Sequence, residues 1–300
     1  MINIMKTYEV SSDNYVCALS ADDPPVLTVP SGSRIIFETK DALHGQIKNE
    51  NQGFDSMDWS LVNPATGPVA IEGAKPGDTL KIFIEKIECD VTGIMAAIGG
   101  FGALADDIKT PSLRVLSILN DRIPFVNGID LPLDPMIGVI GTAPLHGAVS
   151  CGVPDHHGGN LDCKLIKPGN TLYLPVFNKG ALLSAGDVHA CMGDGEIMGT
   201  GVETAAKIYV TVEVIKGFTL TDPLLETPDI IYSLVSDETL EPASVRAIRN
   251  IRDMVAKKCS IDNNTAGMLL SAVGNLEICQ IVDPKVTVRF GVPKDLISVP

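Results

Sequence analysis

Glycine and proline supply 28 and 20 of the 300 residues, and they stand as separate stops between short β-branched runs instead of gathering in a linker. A chain punctuated this way favours many short strands over long helices. The segments 25–29, 34–39, 79–89, 171–177, 205–215, 276–282 and 285–292 read as strands from their Val, Ile, Thr, Phe and Tyr content and partial alternation. The fold is therefore expected to be mainly β.

The strand starts share a corner. Pro76-Gly77-Asp78-Thr79-Leu80 and Pro168-Gly169-Asn170-Thr171-Leu172 follow one pattern, and Pro30-Ser31-Gly32-Ser33-Arg34 is a looser relative. Proline fixes φ while Gly, Asp or Asn tolerates the tight turn, which suits the edges of β-sandwiches and small barrels. The repeat hints at related sandwich-like or barrel-like halves.

Helical signals come late. In 241–259, Val245, Ile248, Ile251, Met254 and Val255 recur at three- and four-residue steps and form one apolar face. Asp262 or Asn263 is placed to cap a second helix over 263–274, ended by Gly274. The expectation is a mixed α/β C-terminal part with a late helical pair. A soft boundary falls near residue 150, separating 1–150 from 151–300 or lying within one intertwined unit.

Apolar residues make up 45% of the chain, and its apolar runs fall well short of a membrane span of roughly 20 residues. A formal charge of −14 without a basic face argues against nucleic acid, whose phosphates such a surface repels. The seven cysteines form no CxxC pair, and the N-terminal MINIMKTYEV has no secretory pattern. A cytoplasmic protein with reduced thiols is expected.

Three of the five histidines, His156, His157 and His189, fall in a stretch rich in carboxylates. In GDVHA, Asp187 and His189 are two residues apart, so an extended chain puts both on one face toward a shared cation. Oxygen and imidazole nitrogen together suit catalytic zinc. Asp194 and Glu196 follow on a glycine-broken loop, either of them able to return as ligand or base. In HHGGNLD, His157 and Asp162 offer a second nitrogen and oxygen, so the imidazoles of His157 and His189 are expected to share one cation.

Other chemistries lack their signatures. No GxSxG elbow exists, and GIMAAIGGFGALA (93–105) lacks the ending of a phosphate loop, leaving it a buried or gate-like loop. Trp59 reads as packing. Cys151, Cys163 and Cys191 lie near the histidines in sequence, which keeps a Cys-His pair as an alternative.

Five colinear blocks, at 24–47, 63–84, 136–164, 174–203 and 269–294, resemble the acetamidase/formamidase family along almost the whole chain. The resemblance implies hydrolysis of a short linear amide to carboxylate and ammonia by a cytoplasmic homodimer or larger homo-oligomer. It also implies a divalent metal, zinc or calcium. By similarity, the HGGN-x-D block falls on His157, Gly158, Gly159, Asn160 and Asp162, and the GD-x-HA-x-x-GDGE block on Asp187, His189, Asp194 and Glu196. An acidic strand-end block corresponds to Glu38, Asp41 and Gln46.

The expected metal ligands are thus His157, Asp162, Asp187 and His189. Glu196 is the expected general base with Glu38 behind it, while Asp41, Gln46, Gly158, Gly159 and Asn160 are expected to bind substrate. Two rivals use the same residues differently: a non-catalytic β protein holding calcium and a small molecule, and a cysteine amidase.

Overall fold

All three proline corners open strands of the same sheet. The computed structural model describes residues 6–300; the first five residues, which form half of the N-terminal segment read above, lie outside the described part. Gly32, Gly77 and Gly169 take φ of 87°, 90° and 90°, the left-handed backbone each corner needs. They launch Ser33–Thr39, Thr79–Cys89 and Thr171–Pro175. The two closest copies are direct neighbours, pairing antiparallel with Thr171 opposite Phe83 and Leu174 opposite Leu80. The repeat therefore marks successive corners of one sheet, not equivalent halves.

Among the described residues, this first sheet has nine strands in the order Thr7–Val10, Ser33–Thr39, Ala206–Ile215, Thr79–Cys89, Thr171–Pro175, Leu224–Glu226, Ile230–Asp237, Val286–Pro293, Asn275–Gln280. A second nine-stranded sheet is built around Leu183–His189, which pairs with Met136–Gly141, with Glu203–Thr204 and with Ala65–Ile71. Both sheets stay open, and both take strands from either side of residue 150.

The main core lies between them. Ile35, Phe37, Ile82, Ile84, Leu172, Ile208 and Val210 of the first sheet pack with Val69, Ile137, Ile140, Leu183, Ala185 and Val188 of the second. Burying each Val, Leu, Ile or Phe side chain here stabilises by about 1.5–3 kcal/mol, before conformational entropy is set against it.

The helical pair is α1 (Leu240–Cys259) and α2 (Asn263–Val273). Asp262 caps α2 by accepting from the N–H groups of Asn264 and Thr265. The face of α1 is rotated from the expected one. Its fully buried stripe is Ala243, Ala247, Ile251 and Val255, while Val245 is exposed, because small alanines let the helix approach the strands Ile230–Asp237 and Val286–Pro293. Among the described residues, no helix is long and apolar enough to cross a membrane.

Candidate active site

The central strand Leu183–His189 carries two ligand-type side chains, and its neighbours bring the others to them. His189 stands opposite Glu203 in the antiparallel register. Gly138, between Ile137 and Val139, faces Asp187. A Cβ at Gly138 would lie 2.6 Å from Oδ1 of Asp162 and 2.8 Å from Oδ2 of Asp187, so glycine there leaves the space the two carboxylates fill. Gly201 does the same for the imidazole: a Cβ would come within 2.8 Å of the His189 ring.

The imidazole is the hub. Its Nδ1 lies 3.2 Å from the sulfur of Met192, and its Nε2 faces carboxylates of Glu203 at 3.1 Å, Asp187 at 3.4 Å and Asp162 at 3.8 Å. Two overlapping groups, Asp162–His189–Glu196 and Asp187–His189–Glu203, each have donor atoms within 4.8 Å of one another. His189 and Asp162 are fully buried, and Asp187, Glu203 and Glu196 nearly so.

Five atoms of this cluster make no well-formed hydrogen bond, although two of them, Nε2 of His189 and Oε2 of Glu203, face each other at 3.1 Å; the others are both oxygens of Asp162 and Oδ1 of Asp187. An unpartnered buried polar atom costs about 1–3 kcal/mol, and native interiors hold few. The backbone is strained here as well. Asp162, Asp187 and Glu196 adopt φ of 41°, 52° and 47°, a left-handed conformation costing about 1–3 kcal/mol per non-glycine residue. Asp187 is thus not on a plain extended strand, although it converges with His189 as its spacing implies.

Charge is equally unbalanced. Burial, reinforced by Asp187, raises the Asp162 carboxyl to about 7. Burial raises Glu203 to about 8 despite neighbouring His189. Glu196 and Asp283 are also pushed well above the carboxylate range by burial and by Asp162. For His189, burial opposes the charged ring, but Glu203 and Asp187 prevail and raise it well above its ordinary value. A divalent cation matches this donor set: it would partner the orphaned atoms and offset the crowded negative charge.

A cavity of about 60 Å³ opens beside the cluster, and its polar lining residues are Asp187, Glu196, Glu203, Asp283, Asn63, Asn160 and Thr200. Leu43, Trp59, Val62, Ile98 and Phe101 are among its apolar lining residues, and neither lysine nor arginine lines it. Asn160 donates to Oδ2 of Asp283 at 2.9 Å, leaving its own buried Oδ1 without a partner.

Of the expected residues, Asp162, Asp187, His189, Glu196 and Asn160 come together here. His157 does not. The Asp155–Gly158 turn, closed by reciprocal backbone hydrogen bonds, directs it instead to a separate cavity with His146, His156, Phe177 and Leu220. Burial lowers its pKa to about 4. The expectation of a cation shared by His157 and His189 is corrected accordingly.

Glu38 also stands apart, pairing with Lys207 at 2.8 Å between the neighbouring strands Ser33–Thr39 and Ala206–Ile215, both side chains partly exposed. Gly158 and Gly159 do not line the cavity. A Cβ on either would strike a carbonyl oxygen, of Ile140 or Val153, so close strand packing requires them. Asp41 and Gln46 shape the rim from behind. Asp41 accepts from the N–H groups of Leu43 and Gly45, and Gln46 exchanges hydrogen bonds with the backbone of Asp58, next to Trp59.

Asp194 is absorbed by Lys164 and the buried Arg289. None of Cys151, Cys163 and Cys191 lines the cavity, and burial raises the thiols of Cys151 and Cys191. Trp59, read as packing, is half exposed and borders the cavity, and the 93–105 segment does contribute its rim through Ala96, Ile98 and Phe101. Glu203 and Asp283 escaped the sequence reading. The one signal was their place inside the family-like blocks at 174–203 and 269–294.

Comparison with known proteins follows the same blocks. The model of the acetamidase/formamidase family matches residues 9–150 and 148–241. The chain belongs to the acetamidase/formamidase family. A crystal structure of an acetamidase from Bacillus halodurans superposes with a TM-score of 0.94 at 43% identity, covering 96% of this chain and 98% of that one. A recombinant predicted acetamidase/formamidase from Thermoanaerobacter tengcongensis gives 0.95 at 40% identity, covering 98% and 97%.

An acetamidase from Mycolicibacterium smegmatis is 30% identical over 65% of this chain and 64% of its own length. A formamidase from Methylophilus methylotrophus is 27% identical over 65% and 62%. The chain thus spans less than two thirds of these curated relatives.

Proposed function

We propose that this chain hydrolyses short linear amides of the formamide and acetamide type to a carboxylate and ammonia, using a divalent cation held at the His189 cluster. The convergence of these buried ligand-type atoms, five of them without a well-formed hydrogen bond, carries this reading. His189, Asp187, Glu203 and Asp162 are the proposed ligands. The imidazole nitrogen at the centre favours zinc over calcium, which prefers an all-oxygen shell.

When bound, the metal supplies a Lewis acid that polarises the amide carbonyl and makes water more acidic. The remaining work falls to the protein. Asn160, held by Asp283, offers its free Oδ1 to the substrate N–H. Glu196 borders the cavity with its pKa already raised, which suits a group that both accepts and returns a proton. It takes a proton from water as the oxygen adds to the carbonyl carbon, then gives it to the nitrogen as the C–N bond breaks.

A cytoplasmic homo-oligomer is part of the same proposal, resting on the family likeness. Ammonia release from formamide and acetamide, measured before chelation, after it and after adding zinc back, tests the reading. Activity lost on chelation and restored by zinc is expected; no release from either amide, or release indifferent to chelation, contradicts it.

A further inference from the structure

The cavity has a mixed lining: carboxylates and Asn160 together with aliphatic and aromatic side chains. A primary amide is mixed in the same way, so its polar head belongs against the cluster and its acyl chain against the apolar wall. At about 60 Å³, the cavity suits a small substrate. That volume is well below the roughly 300 Å³ where ordinary ligand pockets begin.

One side of that wall is held in place relative to Glu196. Phe101 sits on a glycine-rich turn, and its ring lies so close over Gly199 that a Cβ there would fall 2.4 Å from Cδ1. Gly102 presses on the backbone of Ile197 and Met198, where a Cβ would approach within 2.7 Å. The N–H of Ala103 donates to the Ile197 carbonyl at 2.7 Å. Gly199 in turn donates to the carbonyl of Glu196 at 2.7 Å. The aromatic wall and the proton-transferring carboxylate therefore belong to one clasped unit. Leu43, by contrast, is buried in a core cluster, whereas Phe101 is 45% exposed and can be shortened without opening the interior.

We infer that Phe101 sets the acyl-chain limit of this site, holding it to amides of one- and two-carbon acids. The inference rests on the amide-hydrolysis reading. In chemical terms, the ring occupies the space that the third and fourth acyl carbons would need. Discrimination of about 10–200-fold per methylene is what a hydrophobic wall can supply.

The test compares kcat/KM of the metal-loaded wild type, Phe101→Ala and Phe101→Leu on formamide, acetamide, propionamide and butyramide, with folding checked by circular dichroism. The butyramide-to-acetamide ratio is expected to rise at least about tenfold in Phe101→Ala, with Phe101→Leu between it and the wild type. Wild-type ammonia release with an unchanged ratio in both variants overturns the assignment of Phe101 alone. No release from any of the four amides by the wild type overturns the amidase reading and this inference with it.

Discussion

Oε2 of Glu203 stands 3.1 Å from Nε2 of His189, across a pair of antiparallel strands that puts the two residues directly opposite. The contact makes Glu203 a ligand-type residue, although it lies outside every short motif around His189. Glu203→Gln keeps the shape and removes the charge, and it is expected to weaken zinc binding by at least about 10–100-fold, the scale seen when a metal site's supporting carboxylates are lost. Competition with a chromophoric chelator measures this; unchanged affinity would remove Glu203 from the ligand set.

Glu196 and Glu38 separate the two carboxylates considered as base. Glu196→Gln should lower kcat on acetamide by about 10²–10⁴-fold while the metal stays bound. Glu38→Gln touches only a partly exposed pair with Lys207, so activity should stay near wild type and stability should shift by less than about 1 kcal/mol. Steady-state rates and urea unfolding of both variants decide the assignment.

Gly138→Ala adds one methyl where a Cβ lies 2.6 Å from Asp162 and 2.8 Å from Asp187. Overpacking of this kind costs about 1–3 kcal/mol, and here the displaced atoms are the ligands themselves. The variant is expected to fold with a lowered melting temperature and to retain less than about a tenth of the wild-type metal affinity. Wild-type metal content under chelator competition would show that the carboxylates tolerate the shift.

Protonation makes the metal-free protein a pH sensor. Asp162 and Glu203 have folded pKa values of about 7 and about 8, raised by burial above the unfolded carboxylate range near 4. The folded state therefore holds more protons than the unfolded chain between about pH 4 and 8, and stability falls as pH rises through that window. The raised His189 acts with the same sign, its stabilisation being lost as pH climbs through its folded value. Melting temperatures of chelated protein should decline from pH 5 to pH 8, with zinc restoring more at pH 8; the opposite slope would contradict the charge account.

Seven strands and both helices were legible because turn residues and periodicity are local, and so was the convergence of Asp187 with His189; Ala65–Ile71, Met136–Gly141 and Leu183–His189, buried along their whole length in the second sheet, were not among the strands expected. Glu203 and Asp283 were not, since nothing in their own segments announces a pairing with a strand far away in sequence. His157 misled for the same reason: it neighbours Asp162 along the chain, but the Asp155–Gly158 turn sends it to another cavity. On α1, counting large apolar side chains favoured Val245, whereas close packing against a sheet selected Ala243 and Ala247.

Anomalous diffraction at the zinc edge, on crystals of protein purified without chelators, tests the central claim most directly. One peak within bonding distance of His189 Nε2 and the carboxylates of Asp187 and Glu203 is the expected result. A zinc-loaded crystal with no peak there, or with its peak among His146, His156 and His157, would contradict it.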